Sequence, residues 1–176
     1  MRYFYIGEDK EITNRPQIKN WYKIINERYL HYGTYHKVPE KTVLYIESNM
    51  WVYYPEVILT PFFMISKKIK DILKLYEPNM GYRQVILIDF DNEKATQYFI
   101  PHIKRFDCLT EKSQFNQFHT KLEKIVIDSK KIGDSCIFEL DNVLDRHVIV
   151  RMDFLESILR RGAMIDFKEV IVEGEV

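Results

Sequence analysis

The chain has 176 residues, 26 basic and 26 acidic, and close to half of its residues are apolar. A chain of this length buries about 70% of the surface that its unfolded form exposes, so a single domain over 1–176 needs no metal or disulfide to hold together. Balanced charge argues against a bulk electrostatic grip on nucleic acid or on an anionic membrane. The two cysteines, Cys108 and Cys136, stand far apart and outside any Cys-x-x-Cys pair, which leaves no zinc or disulfide framework and fits a reducing cytoplasm. The N-terminus turns charged after six residues, short of a secretory signal, and no apolar run approaches the roughly 18 residues that span a membrane.

In chain order, Arg2 to Ile6 has strand residues and is followed by a polar turn. Ile18, Trp21, Tyr22, Ile25 and Tyr29 fall three and four apart and predict an N-terminal helix, although Asn20 and Asn26 oppose it. Tyr29 to Lys37, YLHYGTYHK, reads as a loop in which Tyr and His alternate around Gly33. Val43 to Glu47 alternates as a strand, Ser48-Asn49 signals a turn, and Trp51-Val52-Tyr53-Tyr54 follows. Pro55 and Pro61 bracket an edge segment, since proline cannot donate to a central ladder. Residues 1–60 are rich in tyrosine throughout.

Ser66 stands where a helix N-cap belongs, with Ile65, Ile69, Ile72, Leu73 and Tyr76 as the inward stripe and lysines outward. Arg83 to Phe90 and Thr96 to Phe106 predict an antiparallel hairpin around Asp91-Asn92-Glu93. Lys124 to Asp128 and Cys136 to Leu140 are shorter strands. His147 to Val172 closes the chain as strand, helix and strand, with Gly162 placed to end the helix in the left-handed conformation. This last stretch overlays Phe62 to Leu87 without a gap, so the pattern suggests an internal duplication. The expected fold is therefore α+β: a mainly antiparallel sheet with two strand-helix-strand units and a third, N-terminal helix.

Asp89, Asp91 and Glu93, followed by Lys94, form the densest cluster of acid/base or metal-ligating groups, and a metal-dependent enzyme acting on nucleic acid or nucleotide can be imagined from them. The bland account is a solvated hairpin tip that protects a strand edge. His31 and His36 are poorly spaced for joint ligation and belong to a surface loop; His102, His119 and His147 stand alone. Cys108 lacks the cationic setting of a reactive thiolate. No phosphate-cradling glycine loop, nucleophile elbow or His-Glu-x-x-His pair is present. Trp51, Tyr53 and Tyr54, with Tyr32 and Tyr35, carry the opposite signal. Rigid amphipathic rings are over-represented where proteins bind proteins, though a core must also claim some of them.

From Pro61 onward the chain resembles the immunity proteins of polymorphic toxin systems, in the class numbered eleven. The residues that carry the resemblance are Ile65-Ser66 with Ile69 and Leu73, Asp107-Cys108-Leu109 with Ser113, and Val126-Ile127-Asp128. Ile137-Phe138 with Leu140, and Val150 with Phe154, Ile158 and Gly162, complete it. The chain departs from the pattern at Thr110, Glu139 and Arg151. The resemblance implies a cytoplasmic protein that binds a cognate toxin domain and blocks it by occlusion, with no catalysis and no cofactor. Such an interface buries on the order of 1,600 Å² and concentrates its energy in a few aromatic or arginine anchors. The expected anchors are Trp51, Tyr53, Tyr54, Tyr32 and Tyr35.

Overall fold

A computed structural model describes residues 1–9, 11–47 and 51–173; the Ser48-Asn49 turn signal lies outside them. The described strands are β1 (Tyr3–Gly7), β2 (Gln17–Lys19), β3 (Lys41–Glu47), β4 (Val57–Ile58), β5 (Met64–Ser66), β6 (Tyr82–Asp89) and β7 (Lys94–Pro101). They continue with β8 (Lys104–Phe106), β9 (Gln114–Phe115), β10 (Leu122–Lys124), β11 (Val126–Asp128), β12 (Ile137–Leu140), β13 (Val148–Arg151) and β14 (Asp166–Glu173). The α-helices are α1 (Lys67–Tyr76) and α2 (Met152–Arg160).

The chain forms two compact units. One comprises Met1–Gly7, Ile103–Gly162 and Asp166–Val176; the other comprises Glu8–His102 and Ala163–Ile165. In the first, the sheet order is β11-β14-β1-β13-β12-β8, and β9 with β10 makes a separate ribbon. In the second, the order is β2-β3-β6-β7-β5-β4. Each sheet is mixed, with β11 parallel to β14, β12 to β8 and β3 to β6, and the remaining pairs antiparallel.

The α+β expectation is overturned: the protein is mainly β, with fourteen strands and two short α-helices among the described residues. The two segments expected as strand-helix-strand units do not stand alone. Strands β5 and β6, which α1 connects, do not pair with each other, because β7 lies between them. Strands β13 and β14, which α2 connects, are separated by β1, delivered from the far end of the chain. A matching local pattern therefore marks two crossovers within larger sheets, each spanning one intervening antiparallel strand, and not two self-contained units.

Among the described residues no third α-helix forms at the N-terminus. Asn20 sits at φ 52, in the left-handed region, and stops a helix from running through it. Asn26 takes the amide of Arg28 on its side chain and starts a separate 3₁₀ turn, Glu27–Leu30. Ile18 on β2 and Trp21, Ile25 and Tyr29 from the turns after it still pack inward, whereas Tyr22 is exposed, so most of the apolar spacing is a core signal on a non-helical backbone.

Helix α1 follows its sequence closely. Ser66 accepts the Ile69 amide at 3.3 Å, and Ile69, Ile72 and Leu73 are buried. Glu56 receives both the Ser66 hydroxyl and the Lys68 ammonium, tying the cap to the segment just before β4. Helix α2 has no side-chain cap of this kind: Arg151 instead donates to Asp153 at 2.8 and 2.9 Å. Gly162 ends that helix at φ 73.

Two cores result. The second unit buries Leu44, Ile46, Val85, Leu87, Tyr98 and Ile100 from its sheet under Ile25, Tyr35, Val38 and Phe62. The first unit buries Tyr3, Cys108, Ile127, Phe138, Ile149 and Val170. Burial pushes the Cys108 thiol up to about 11. With Cys136 equally enclosed, neither thiol should react with DTNB within minutes in the native protein, while both react in denaturant. Prompt reaction of one equivalent would show that a sulfur reaches solvent.

Candidate functional site

The segment that follows the described end of β3 carries Trp51 to Tyr54. Trp51 is 78% exposed and Tyr53 39% exposed. The Tyr53 amide donates to the carbonyl of Asn14 at 2.8 Å, which fixes the segment against residues 12–14. Together with Ile12, Thr13, Asn14 and Val52, these two rings line an open cleft of about 610 Å³ whose other wall is Asp89, Asn92 and Lys94. The β6–β7 hairpin supplies that wall.

Asp89 is fully buried at the end of β6. It accepts the Asn92 backbone amide at 3.1 Å and the Asn92 side-chain amide at 2.9 Å, so its carboxylate closes the hairpin turn. The Tyr54 hydroxyl donates to it at 3.4 Å. Burial, and then the adjacent Asp89 charge, raise that hydroxyl above the ordinary tyrosine range. Tyr54 thus packs on the core and anchors the segment from behind, while Trp51 and Tyr53 face outward.

The three carboxylates weighed as a metal or acid/base cluster are not brought together. Asp89 is consumed by the turn, and Asp91 and Glu93 are exposed beyond it, with Glu93 at φ 52. The alternation that would put Asp89 and Asp91 on one strand face fails because the strand ends at Asp89. Among the described residues, no group of three or more His, Cys, Asp and Glu side chains is placed to hold a metal ion.

Tyr32 and Tyr35 belong to a 3₁₀ stretch, Tyr32–Lys37. Tyr32 is 48% exposed, whereas Tyr35 is buried and donates its hydroxyl to the carbonyl of Ile100 at 2.6 Å. Burial raises that hydroxyl's pKa strongly. Both rings stack on His102, with centroids at 4.2 Å. His102 had no sequence signal for this role; it pairs with residues about 70 positions away. Arg83, also beside Tyr35, had no sequence signal either: it stands with Gln84 at the polar start of β6, ahead of the apolar run from Val85.

The residues that carried the family resemblance are framework. The Ser113 hydroxyl donates to the Val126 carbonyl at 2.9 Å and accepts the Val126 amide at 3.1 Å, standing in for a missing strand partner. The Thr110 and Asp128 amides bond the carbonyls of Val126 and Cys108 at 2.9 and 2.8 Å. Phe138, Val150, Phe154 and Ile158 are fully enclosed. Compared with known proteins, the chain matches the model of the Imm11 immunity protein family over residues 4–166. The chain belongs to that family. No curated protein matches it. The match to the Imm11 model reaches back across the tyrosine-rich first sixty residues, so Trp51 and its cleft lie within the family's domain. Among the described residues of this Imm11 chain, no helix is long and apolar enough to cross a membrane.

Proposed function

We propose that this Imm11 protein binds a cognate toxin domain in the cytoplasm of the cell that makes the toxin, and neutralises it by covering it. Family membership supports an immunity role. The observation that carries the proposed surface is Trp51, largely exposed beside Tyr53 at the mouth of a cleft, on a segment held by Asn14 and Tyr54. Large rings that are fixed before binding lose little side-chain freedom on association and make effective anchors. Within the expected set, Trp51, Tyr53 and Tyr32 are the contact residues, and Tyr54 and Tyr35 support them from the core. Occlusion requires no bond-making by the immunity protein.

The test uses the C-terminal domain of the toxin encoded beside this gene, measured by titration calorimetry and by survival on co-expression. W51A is expected to weaken binding by about 30- to 100-fold, as truncation of a buried hot-spot tryptophan does, without shifting the thermal midpoint. Wild-type affinity in W51A removes Trp51 from the interface, and absence of binding by the wild-type protein overturns the reading itself.

A further inference from the structure

Arg83 is 20% exposed in its side chain, yet its donors are poorly used. Nε is buried and has no acceptor among the described residues. One terminal nitrogen lies 3.6 Å from Glu40, a carboxylate that is 92% exposed, and the other lies 3.5 Å from the carbonyl of His36. A guanidinium presents five N–H groups in a fixed fork. Donors held away from water without acceptors carry a desolvation penalty, and a long contact to a solvated carboxylate offsets little of it.

The surroundings of this cation are unusually ordered. The Arg83 guanidinium carbon lies 5.3 Å from the centroid of the Tyr35 ring. Tyr35 stacks on His102 at 4.2 Å and 7°, and Tyr32 stacks on the same imidazole at 4.2 Å and 20°. Two rings cannot share one face of a third at that distance, so His102 is held between the two phenols. The polar edges of the column are occupied: His102 Nε2 lies 2.9 Å from the Tyr32 carbonyl, and the Tyr35 hydroxyl is bonded to Ile100. The cation at its end keeps a buried Nε without an acceptor among the described residues and has only long contacts on its other nitrogens. Tyr32, His36, Tyr82, Arg83 and His102 line an open pocket of about 340 Å³, room for one side chain of a partner.

We propose that Arg83 receives an aspartate or glutamate side chain of the toxin domain, its two oxygens on the guanidinium fork and its methylene stem against the Tyr32 and Tyr82 rings. The aromatic walls favour an acid carried on a chain over a free anion, because they offer apolar contact to the stem as well as charge to the head. Glu40 occupies the fork loosely in the free protein and is displaced. This proposal rests on the immunity reading above and adds the chemistry of one partner residue to it.

Titration of the full chain with the adjacent toxin domain in 0.15 M salt decides it. R83Q is expected to weaken binding at least about 30-fold, in line with truncation of one member of a desolvated charged pair, with the thermal midpoint unchanged. R83K, which keeps the charge and loses the fork, should fall about 10-fold. E40Q should bind as well as wild type or more tightly. Wild-type affinity in R83Q overturns the assignment, and so does a loss in E40Q equal to that in R83Q. If R83Q fails to fold, R83K decides alone: a tenfold loss supports the pairing and wild-type affinity overturns it. A wild-type protein that does not bind the toxin domain at all overturns the immunity reading, and this pairing with it.

Discussion

Replacing Glu139 by alanine is expected to lower the unfolding free energy by about 1–3 kcal/mol, because it strips the acid from between two half-buried arginines. Glu139 sits on β12, opposite Arg105 of β8 in parallel register. The Arg105 guanidinium donates to both carboxylate oxygens at 3.2 Å, and Arg146 Nε donates to one of them at 3.1 Å. Both arginines are mostly shielded from solvent. Without Glu139 both guanidinium groups lose a shared carboxylate and the charge it supplies. E139Q should lose less, since its amide oxygen still accepts one donor in the same shape. Replacing all three residues by apolar ones of similar volume should approach wild-type stability, because a buried ionic group contributes little over good packing. Urea denaturation with an unchanged m-value is the measurement. A loss below about 1 kcal/mol in E139A would show that the arginines swing out to water and that the network behaves as a surface one.

Elements governed by local chemistry were legible in the sequence. Ser66 before a stripe of Ile69, Ile72 and Leu73 specified a capped helix, Gly162 specified its left-handed stop, and the polar tip after Asp89 specified a hairpin. Partners distant in sequence were not legible. Nothing in Arg2 to Ile6 says that this strand inserts between β13 and β14, more than 140 residues away, so the crossover around α2 read as a closed unit. The stripe from Ile18 to Tyr29 failed for a different reason: a short strand and separate 3₁₀ turns can also turn apolar residues to one side, and Asn20 and Asn26 chose between the alternatives. At the candidate site, residue type told which rings could bind but not which way they face. Tyr35 and Tyr54 turn to the core and Trp51 turns to solvent, a distinction made by neighbouring strands rather than by the segment itself. Arg83 and His102 acquire their setting from a 3₁₀ stretch nearly fifty and seventy positions upstream.

Phe138→Ala is expected to cost about 3–5 kcal/mol and yet to leave affinity for the toxin domain unchanged wherever the variant remains folded. Phe138 is fully enclosed on β12, with its ring edge-on to Tyr3 at 5.9 Å and to Phe106 at 5.5 Å. Cys108, Ile127, Leu140, Ile149 and Val170 complete the cluster. Strands β1, β8, β11, β12, β13 and β14 all contribute to it, so the cavity left by truncation has many walls and cannot collapse by moving one of them. Each lost edge-to-face contact adds about 0.5–1.5 kcal/mol. F138L, which keeps most of the volume, should cost about 1–2 kcal/mol. Cys108, Ile127, Phe138 and Leu140, which share the family pattern, build this cluster, whereas Trp51, Tyr53 and Arg83 lie outside those motifs and on the surface or its pockets. A family that keeps one framework and meets different toxins would vary the second set and hold the first. Two measurements then separate along two groups of residues: F138A moves the denaturation midpoint and leaves Kd, while W51A and R83Q move Kd and leave the midpoint. An F138A protein that is fully folded by circular dichroism at 15 °C but binds tenfold more weakly would break that separation and place part of the toxin contact on the unit that Phe138 supports.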